Sequence, residues 1–198
     1  MTDANLFQKL ELEAFRAGIN PRTEESREWF RKRIHSIRRV NRLELMNSEE
    51  LDIVSKSRPL IGTMNMFFYD PKTKDTLPYY DRFPLAIIVG PAEGGFYGMN
   101  LHYISPILRA QFLDALMGMT NNKKFDDTTR FKSQYNLMKK LGSTKYYKPC
   151  FKHYLFANVK SRLGRVAPTE WEIATFLPTA DWAKTSSRQV YRKSREMI

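Results

Sequence analysis

Residues 85–103, LAIIVGPAEGGFYGMNLHY, decide the fold class of this chain. Leu85–Val89 is a continuous apolar run of strand length, and Phe96–Tyr103 is a second segment that fits a strand. Between them, Gly90–Gly95 is rich in glycine and contains a proline, a composition typical of a turn. The pattern predicts two antiparallel strands joined as a β-hairpin.

Further strand-length segments lie on both sides of this hairpin. Thr63–Tyr69 precedes it, and Trp171–Leu177 follows it as another apolar run. Residues 77–84 contain too many prolines for a regular strand, so we expect an ordered crossing loop there. Short strands separated by glycine and proline turns favour a small antiparallel β-barrel, for which the SH3-like barrel is a candidate, formed by about residues 61–103 and 160–178.

Helical patterns fill the rest of the chain, which makes the predicted fold class α+β. Thr23 is a suitable N-cap for a helix that runs to about Met46, and Ser105 with Pro106 begins another. The predicted helices cover residues 3–17, 23–46, 105–118, 126–142 and 149–164. The predicted organisation is an N-terminal helical arm (1–58), a barrel-like domain (59–181) with a helical insertion at about 105–163, and a basic C-terminal tail (182–198).

The charge of the chain is strongly positive and unevenly distributed. There are 33 Lys and Arg against 21 Asp and Glu, a formal net charge of +12 over 198 residues. The excess is concentrated in residues 22–42 (+5), 120–165 (+10) and 182–198 (+4). Such segments favour binding to a polyanion, although docking on an acidic protein surface uses the same charge.

Composition excludes several other classes of protein. With 42% hydrophobic and 13% aromatic residues, the chain can bury a core and is not a disordered tail. No apolar run approaches the ~18 residues of a membrane span. The N-terminal segment MTDANLFQKL lacks the pattern of a signal peptide. A lone Cys150 excludes an internal disulfide framework, which fits a reducing compartment.

Basic residues at helical spacing form a first candidate DNA-binding set, because one helix face can follow the phosphates of a duplex. This set consists of Arg27, Arg31, His35, Arg38 and Arg42. A second basic set is interleaved with aromatic residues, a mixture that suits base stacking at a strand end but equally fits a core surrounded by solvated lysines. This second set consists of Lys123, Lys124, Arg130, Lys132, Lys139, Lys140, Lys145, Lys148 and Lys152.

The sequence contains few candidates for catalysis or metal binding. Cys150 and His153 lie three residues apart, but no second pair of ligands completes a zinc site. Asp70, Asp75 and Asp81 could supply the carboxylates of a magnesium nuclease, although acidic residues beside proline are also ordinary turn composition. We therefore predict no catalytic residue, no metal ligand and no cofactor, and keep the nuclease as the least favoured hypothesis.

Several longer motifs resemble those of a known group of proteins. The motifs are FFYDPK (67–72), LPYYDRFPL (77–85), GGFYGMNLHY (94–103) and KPC (148–150). They are similar to motifs of small virion or assembly proteins of contractile-tailed bacteriophages and cyanophages, of the kind called DNA end protectors, over about residues 60–180. The resemblance implies a protein that binds the ends of packaged linear DNA and shields them from exonuclease, and it implies no catalytic residue.

The residues of these motifs fit structural roles. Prolines fix the turns, and we expect Tyr79, Tyr80 and Phe83 to hold the crossing loop against the core. We expect Asp81 to accept a hydrogen bond from a neighbouring backbone group.

The leading hypothesis is a non-enzymatic bacteriophage protein that grips DNA, and in particular its ends, by phosphate neutralisation and aromatic stacking. Its expected partners are DNA and other phage structural proteins, in a ring or another symmetric homo-oligomer and without a membrane. Its expected locations are the virion and, during assembly, the host cytoplasm. The alternative is a structural subunit of the phage neck, tail or baseplate, whose arms are clasped by neighbouring subunits.

Overall fold

The computed structural model describes residues 6–20, 23–47, 52–53, 61–120, 136 and 145–197. The helices in this part of the chain are α1 (Leu6–Arg16), α2 (Glu24–His35), α3 (Arg42–Asn47), α4 (Pro106–Thr120), α5 (Trp171–Phe176) and α6 (Ser187–Glu196). The strands are β1 (Asp52–Ile53), β2 (Met64–Met66), β3 (Tyr80–Asp81), β4 (Leu85–Ala92), β5 (Gly95–Asn100), β6 (Phe151–Leu155), β7 (Gly164–Val166) and β8 (Trp182–Ala183).

The predicted hairpin is confirmed as β4 and β5, which pair antiparallel with Ala86 opposite Asn100. Pairing extends into the glycine-rich segment, because β4 continues to Ala92 and only a tight turn separates the strands. Gly94 in this turn has a φ of +66°, a conformation that favours glycine. Gly95 is required for a different reason, since a Cβ there would lie 1.8 Å from the carbonyl oxygen of Tyr154 in β6.

The hairpin lies inside an antiparallel sheet with the strand order β1-β7-β2-β4-β5-β6. In the described residues β1 and β6 are its two open edges, so the sheet does not close and the predicted barrel is not formed. The α+β class is confirmed. A separate ribbon pairs β3 with β8.

The strand predicted at Trp171–Leu177 is wrong, because Trp171–Phe176 forms helix α5. The indole N–H of Trp171 donates to the carbonyl of Val166. At the end of the helix, the backbone N–H of Leu177 donates to the carbonyl of Ile173. A short apolar run that is buried on nearly all sides suits a strand and a helix equally, and its periodicity does not separate them.

The helix predicted at 149–164 is also wrong. Phe151–Leu155 is strand β6, which pairs with β5 and follows a short 3-10 turn at Lys148–Cys150. Phe, Tyr and Leu in this segment pack well on a pleated surface, and pairing with β5 decides its conformation. The helix predicted at 105–118 is confirmed as α4, although it continues through Gly118. The helix predicted at 126–142 lies outside the described residues, apart from Asn136.

The single helix predicted from Thr23 to Met46 is wrong, because α2 ends at His35 and α3 begins at Arg42. The hydroxyl of Ser36 donates to the carbonyl of Arg33 at 2.8 Å, which competes with continuation of the helix. The start of α2 is as expected, since Thr23 forms a capping box with Ser26.

Both faces of the sheet are covered. Leu85 and Ile87 of β4 point into a large core that includes buried residues of every described helix, whereas Ala86 and Ile88 point into a smaller aromatic core on the other face. None of the helices in the described ranges has the length and hydropathy of a membrane span. The proposed division into arm, domain and tail stays a prediction.

Candidate nucleic-acid interface

A groove of about 460 Å³ opens between β3, β6 and the end of α6. Its walls combine three of the motifs quoted above, the YDPK, LPYYD and LHY segments, with residues of β6. The sequence distributes these residues over more than half of its length, and the fold brings them together. We name this space the tyrosine groove and define it by Lys72, Tyr79, Tyr80, Tyr103, Lys152 and Met197.

The pairing of β3 with β8 positions the tyrosines. Asp81 lies opposite Trp182, and the indole ring packs edge-on against Tyr103 with centroids 4.9 Å apart. The ring of Tyr79 lies 6.2 Å from that of Tyr103 and 6.1 Å from that of Trp182. Tyr80, by contrast, makes no ring contact within the described residues. Its side chain is partly exposed and lines the groove.

Two lysines lie against the rings of this cluster. Lys152 Nζ is 4.0 Å from the ring centroid of Tyr103, and Lys193 Nζ is 4.9 Å from that of Tyr79. Burial lowers the pKa of Lys152, because a poorly solvated ammonium ion is disfavoured. In the described part of the chain no carboxylate forms an ion pair with Lys152, and Asp81, which also lines the groove, is occupied by other donors. The groove therefore presents a positive charge without an anionic partner.

Asp81 anchors the segment that carries Tyr79 and the β3 residue Tyr80. Its Oδ2 accepts from His102 Nδ1 at 2.6 Å and from Asn100 Nδ2 at 3.1 Å. Its Oδ1 accepts from the backbone N–H groups of Phe83 at 3.0 Å and Asp181 at 3.1 Å. The expected bond from Asp81 to a neighbouring backbone is thus confirmed, and Phe83 is buried as expected.

His102 connects Asp81 to Thr179, whose Oγ1 lies 3.2 Å from His102 Nε2. Burial lowers the pKa of His102 and outweighs the nearby carboxylate, so the imidazole is neutral. Burial acts to raise the pKa of Asp81, but the contacts with His102 and Asn100 leave that pKa lowered. The three side chains are arranged in line like a hydrolytic triad, yet all three are buried. Their role is to fix the groove wall.

Arg27 and Arg31 of the first predicted set are engaged within the protein. Arg31 lies 2.7 Å from Glu172 Oε1 and 3.0 Å from Asp114 Oδ1, and its guanidinium covers the ring of Phe176. Arg27 lies 2.9 Å from the same oxygen of Asp114. Burial raises the pKa of Glu172 to about 7, against the opposing effect of Arg31. These ion pairs attach α2 to α4 and α5.

The other members of the first set divide between the interior and the surface. Arg42 donates to the carbonyl oxygens of Thr179 at 2.7 Å and Ala180 at 2.6 Å. His35 and Arg38 are exposed. Because the predicted single helix is two helices, these side chains do not form one continuous stripe.

The second predicted set is only partly within the described residues. Lys145 and Lys148 are exposed, and Lys152 lies in the tyrosine groove. The remaining members lie outside the described residues: Lys123, Lys124, Arg130, Lys132, Lys139 and Lys140.

The carboxylates considered for a nuclease do not converge. Asp70 pairs with Lys74 at 2.9 Å, Asp75 is exposed, and Asp81 is buried in the network around His102. Within the described ranges, no group of three acidic, histidine or cysteine side chains is placed to hold a metal ion.

Cys150 and His153 lie in different environments, one buried and the other exposed. Cys150 is buried, and burial raises the pKa of its thiol to about 12. His153 is exposed, and its Nε2 lies 3.0 Å from the carbonyl oxygen of Glu93.

Sequence reasoning missed an arginine face on α6. Val190 and Ser194 are buried, and the Ser194 hydroxyl donates to the carbonyl of Tyr103 at 2.8 Å. Arg188, Arg192 and Arg195 occupy the opposite, exposed face. Their spacing of four and three residues was visible in the sequence and marks one side of a helix.

A comparison with protein families supplies one match. The model of a family described as phage T4 terminal DNA protecting protein matches residues 8–195 of the chain. No curated protein and no solved structure shows significant similarity to this chain.

Proposed function

Because the chain belongs to the phage T4 terminal DNA protecting protein family, we propose that it binds the ends of linear phage DNA and covers them without catalysing a reaction. It acts in the virion, and in the host cytoplasm during assembly, with DNA and other phage structural proteins as partners. The net charge of +12 supports a polyanionic partner.

The arginine face of α6 is the observation that carries this proposal. Arg188, Arg192 and Arg195 lie along a helix of ten residues, which is about 15 Å long and can follow several phosphates of a duplex. Lys193 of the same helix lies against the ring of Tyr79, and Met197, directly after the helix, lines the tyrosine groove. A duplex lying along α6 therefore brings its end to the groove.

The exposed members of the predicted sets are further DNA contacts in the proposal. They are His35, Arg38, Lys145 and Lys148, and the lysines and arginine between residues 123 and 140 remain proposed contacts of the same kind. Arg27, Arg31 and Arg42 have protein partners, so we assign their main contribution to stability.

Protection of a DNA end requires no catalysis by the protein. An exonuclease needs access to the terminal nucleotide, and occupancy alone denies that access. Incubation of linear DNA with the protein and magnesium tests this point. Intact DNA is expected, and degradation that Asp70→Ala abolishes would establish the nuclease instead.

The test of end binding is a competition measured by fluorescence anisotropy. Labelled blunt-ended duplex is bound at two salt concentrations, and unlabelled linear or circular duplex of the same sequence competes. We expect linear DNA to compete better than circles and to be spared from an added exonuclease. No binding at low salt overturns the proposal, and equal competition by circles removes the preference for ends.

Variants of α6 test the surface. Each of Arg188→Gln and Arg192→Gln should reduce the salt dependence of binding by about one phosphate contact. Arg16→Gln, which removes an exposed arginine of α1, is the matched control. An equal effect of all three variants would show that only net charge matters.

A protein-binding role is the second candidate, because α1 exposes apolar side chains. Phe15 is 80% exposed and Leu12 is 46% exposed, three residues apart on one side of the helix. Such a surface suits a neighbouring subunit of the phage neck, tail or baseplate. Loss of incorporation into virions on Phe15→Ser, with DNA binding retained, would favour this role.

A further inference from the structure

We infer that the tyrosine groove binds a single unpaired nucleotide at the DNA terminus, with its base stacked on Tyr80 and its phosphate beside Lys152. This inference rests on the proposed function above and names the chemical feature by which an end is distinguished from continuous duplex.

The size of the groove favours one nucleotide. A volume of about 460 Å³ is at the lower end of the range in which proteins enclose a small ligand. The end of an intact duplex presents a base pair with two backbones, which is too large for this space. A nucleotide that has separated from its partner strand has the right size.

Tyr80 is the stacking surface that the groove leaves open. Tyr79 is held between Lys193 and Tyr103, and Tyr103 carries Lys152 on its face. Tyr80 has no such ring partner in the described part of the chain. Stacking of a base on an aromatic side chain needs no particular sequence, which suits a protein that recognises a terminus.

Lys152 supplies the charge for the phosphate. A half-buried ammonium group is unfavourable unless an anion or good hydrogen bonds compensate for lost water. Its contact in the free protein is the face of Tyr103 at 4.0 Å, without a carboxylate partner among the described residues. A nucleotide phosphate would provide that partner, and Lys72 at the groove wall adds a second positive charge.

Hydrogen bonds from Lys184 fix the loop before Tyr79 in the free protein. Lys184 has a φ of +64°, which is uncommon for a residue other than glycine. In this conformation its Nζ donates to the carbonyl oxygens of Lys74 at 2.7 Å, Leu77 at 3.1 Å and Asp75 at 3.2 Å. The strained residue thus fixes the loop, and a preformed wall lowers the entropic cost of binding.

The unpaired nucleotide explains how ends are selected. Extruding a base from inside a duplex disrupts stacking on both sides, whereas the terminal base has only one neighbour in its strand. A one-nucleotide overhang needs no base pair to open. It should bind about tenfold more tightly than a blunt end, which must first lose one stacked pair.

The experiment compares three duplexes of identical sequence with the full chain. They have a one-nucleotide overhang, a blunt end, or a blunt end whose terminal base pair is covalently cross-linked. Anisotropy gives the affinities, and 2-aminopurine at the terminal position reports stacking through its fluorescence. We expect affinity to fall in that order, with quenching for the overhang.

Variants assign the effect to the groove. Tyr80→Ala should abolish the preference for the overhang, Tyr80→Phe should retain it, and Lys152→Met should weaken overhang binding about tenfold. Tyr146→Ala and Lys160→Met, at exposed positions outside the groove, are the matched controls. Equal affinity for the three duplexes, together with discrimination against circles, overturns the groove inference but leaves end binding intact. Equal affinity for circles overturns the proposed function itself.

Discussion

Asp81 Oδ2 lies 2.6 Å from His102 Nδ1, and both side chains are buried. The carboxylate also accepts from Asn100 and from two backbone N–H groups, so its two oxygens satisfy four donors. This arrangement joins β3, the residues after β5 and the segment before β8. The stability of the groove wall therefore depends on one buried anion.

Replacing Asp81 by Asn should destabilise the protein by about 3 kcal/mol, because an amide offers one acceptor oxygen and leaves buried donors unpaired. Urea unfolding followed by circular dichroism measures the change. Asp75→Asn, at an exposed position in the preceding turn, is the control and should have little effect. Equal stabilities of the two variants would contradict the role assigned to Asp81.

Glu172 gives the protein a pH-dependent stability. Burial raises the pKa of its carboxyl to about 7, above the ordinary value of 4.5. Between these values the folded protein binds a proton that the unfolded chain does not, so Glu172 contributes more stability as pH falls.

Glu172→Gln, which resembles the protonated side chain, should therefore stabilise the protein at pH 8 by about 2 kcal/mol and have little effect at pH 5. Unfolding free energies of both proteins across this range give the difference. A difference that is the same at both pH values would show that Glu172 titrates normally.

Gly95→Ala should destabilise the protein by roughly 3 kcal/mol, since its Cβ would overlap the backbone of Tyr154 and force β5 and β6 apart. Gly90→Ala is the matched control in the same hairpin, because a Cβ there meets nothing within 4 Å. We expect the control to differ from the wild type by less than about 0.5 kcal/mol. Similar thermal midpoints for both variants would disprove the close approach.

Removal of Arg42 should lower the stability of the protein, whereas removal of Arg38 should weaken DNA binding. Arg42→Ala loses two hydrogen bonds to the backbone at Thr179 and Ala180, and should cost about 2 kcal/mol of stability. Arg38→Ala should leave stability unchanged but reduce the salt dependence of DNA binding by about one phosphate contact. Urea unfolding and anisotropy on both variants test this. An unstable Arg38→Ala protein would show that its guanidinium is not free.

The sequence correctly predicted those elements whose conformation depends on residues that are adjacent in the chain. The hairpin of β4 and β5 has its own turn, and α4 has Ser105 and Pro106 at its start. β6 and α5 were misassigned, because short apolar segments acquire their conformation from distant partners. β6 is a strand since it pairs with β5, and Trp171–Phe176 is a helix packed in the core.

The sequence indicated little of the candidate site. Lys152 of the second predicted set lies in the groove, but the tyrosines beside it, Tyr79, Tyr80 and Tyr103, come from distant motifs, and the DNA-binding role of both sets stays a prediction. Which arginines are engaged internally was not predictable, since Arg31 and its partner Glu172 are separated by 141 residues. The LPYYD motif was interpreted as a loop held to the core, yet Tyr79 and Tyr80 also form a wall that only the fold reveals.

The position of β7 between β1 and β2 determines when the protein can fold. Asp52 pairs with Arg165, and Met197, directly after α6, lines the groove. A nascent chain therefore cannot complete the sheet until its C-terminal segments leave the ribosome, and pairing between such distant residues slows folding. Under the proposed function, a chain in which β7 and the segments after it have not yet joined the fold does not bind a DNA end.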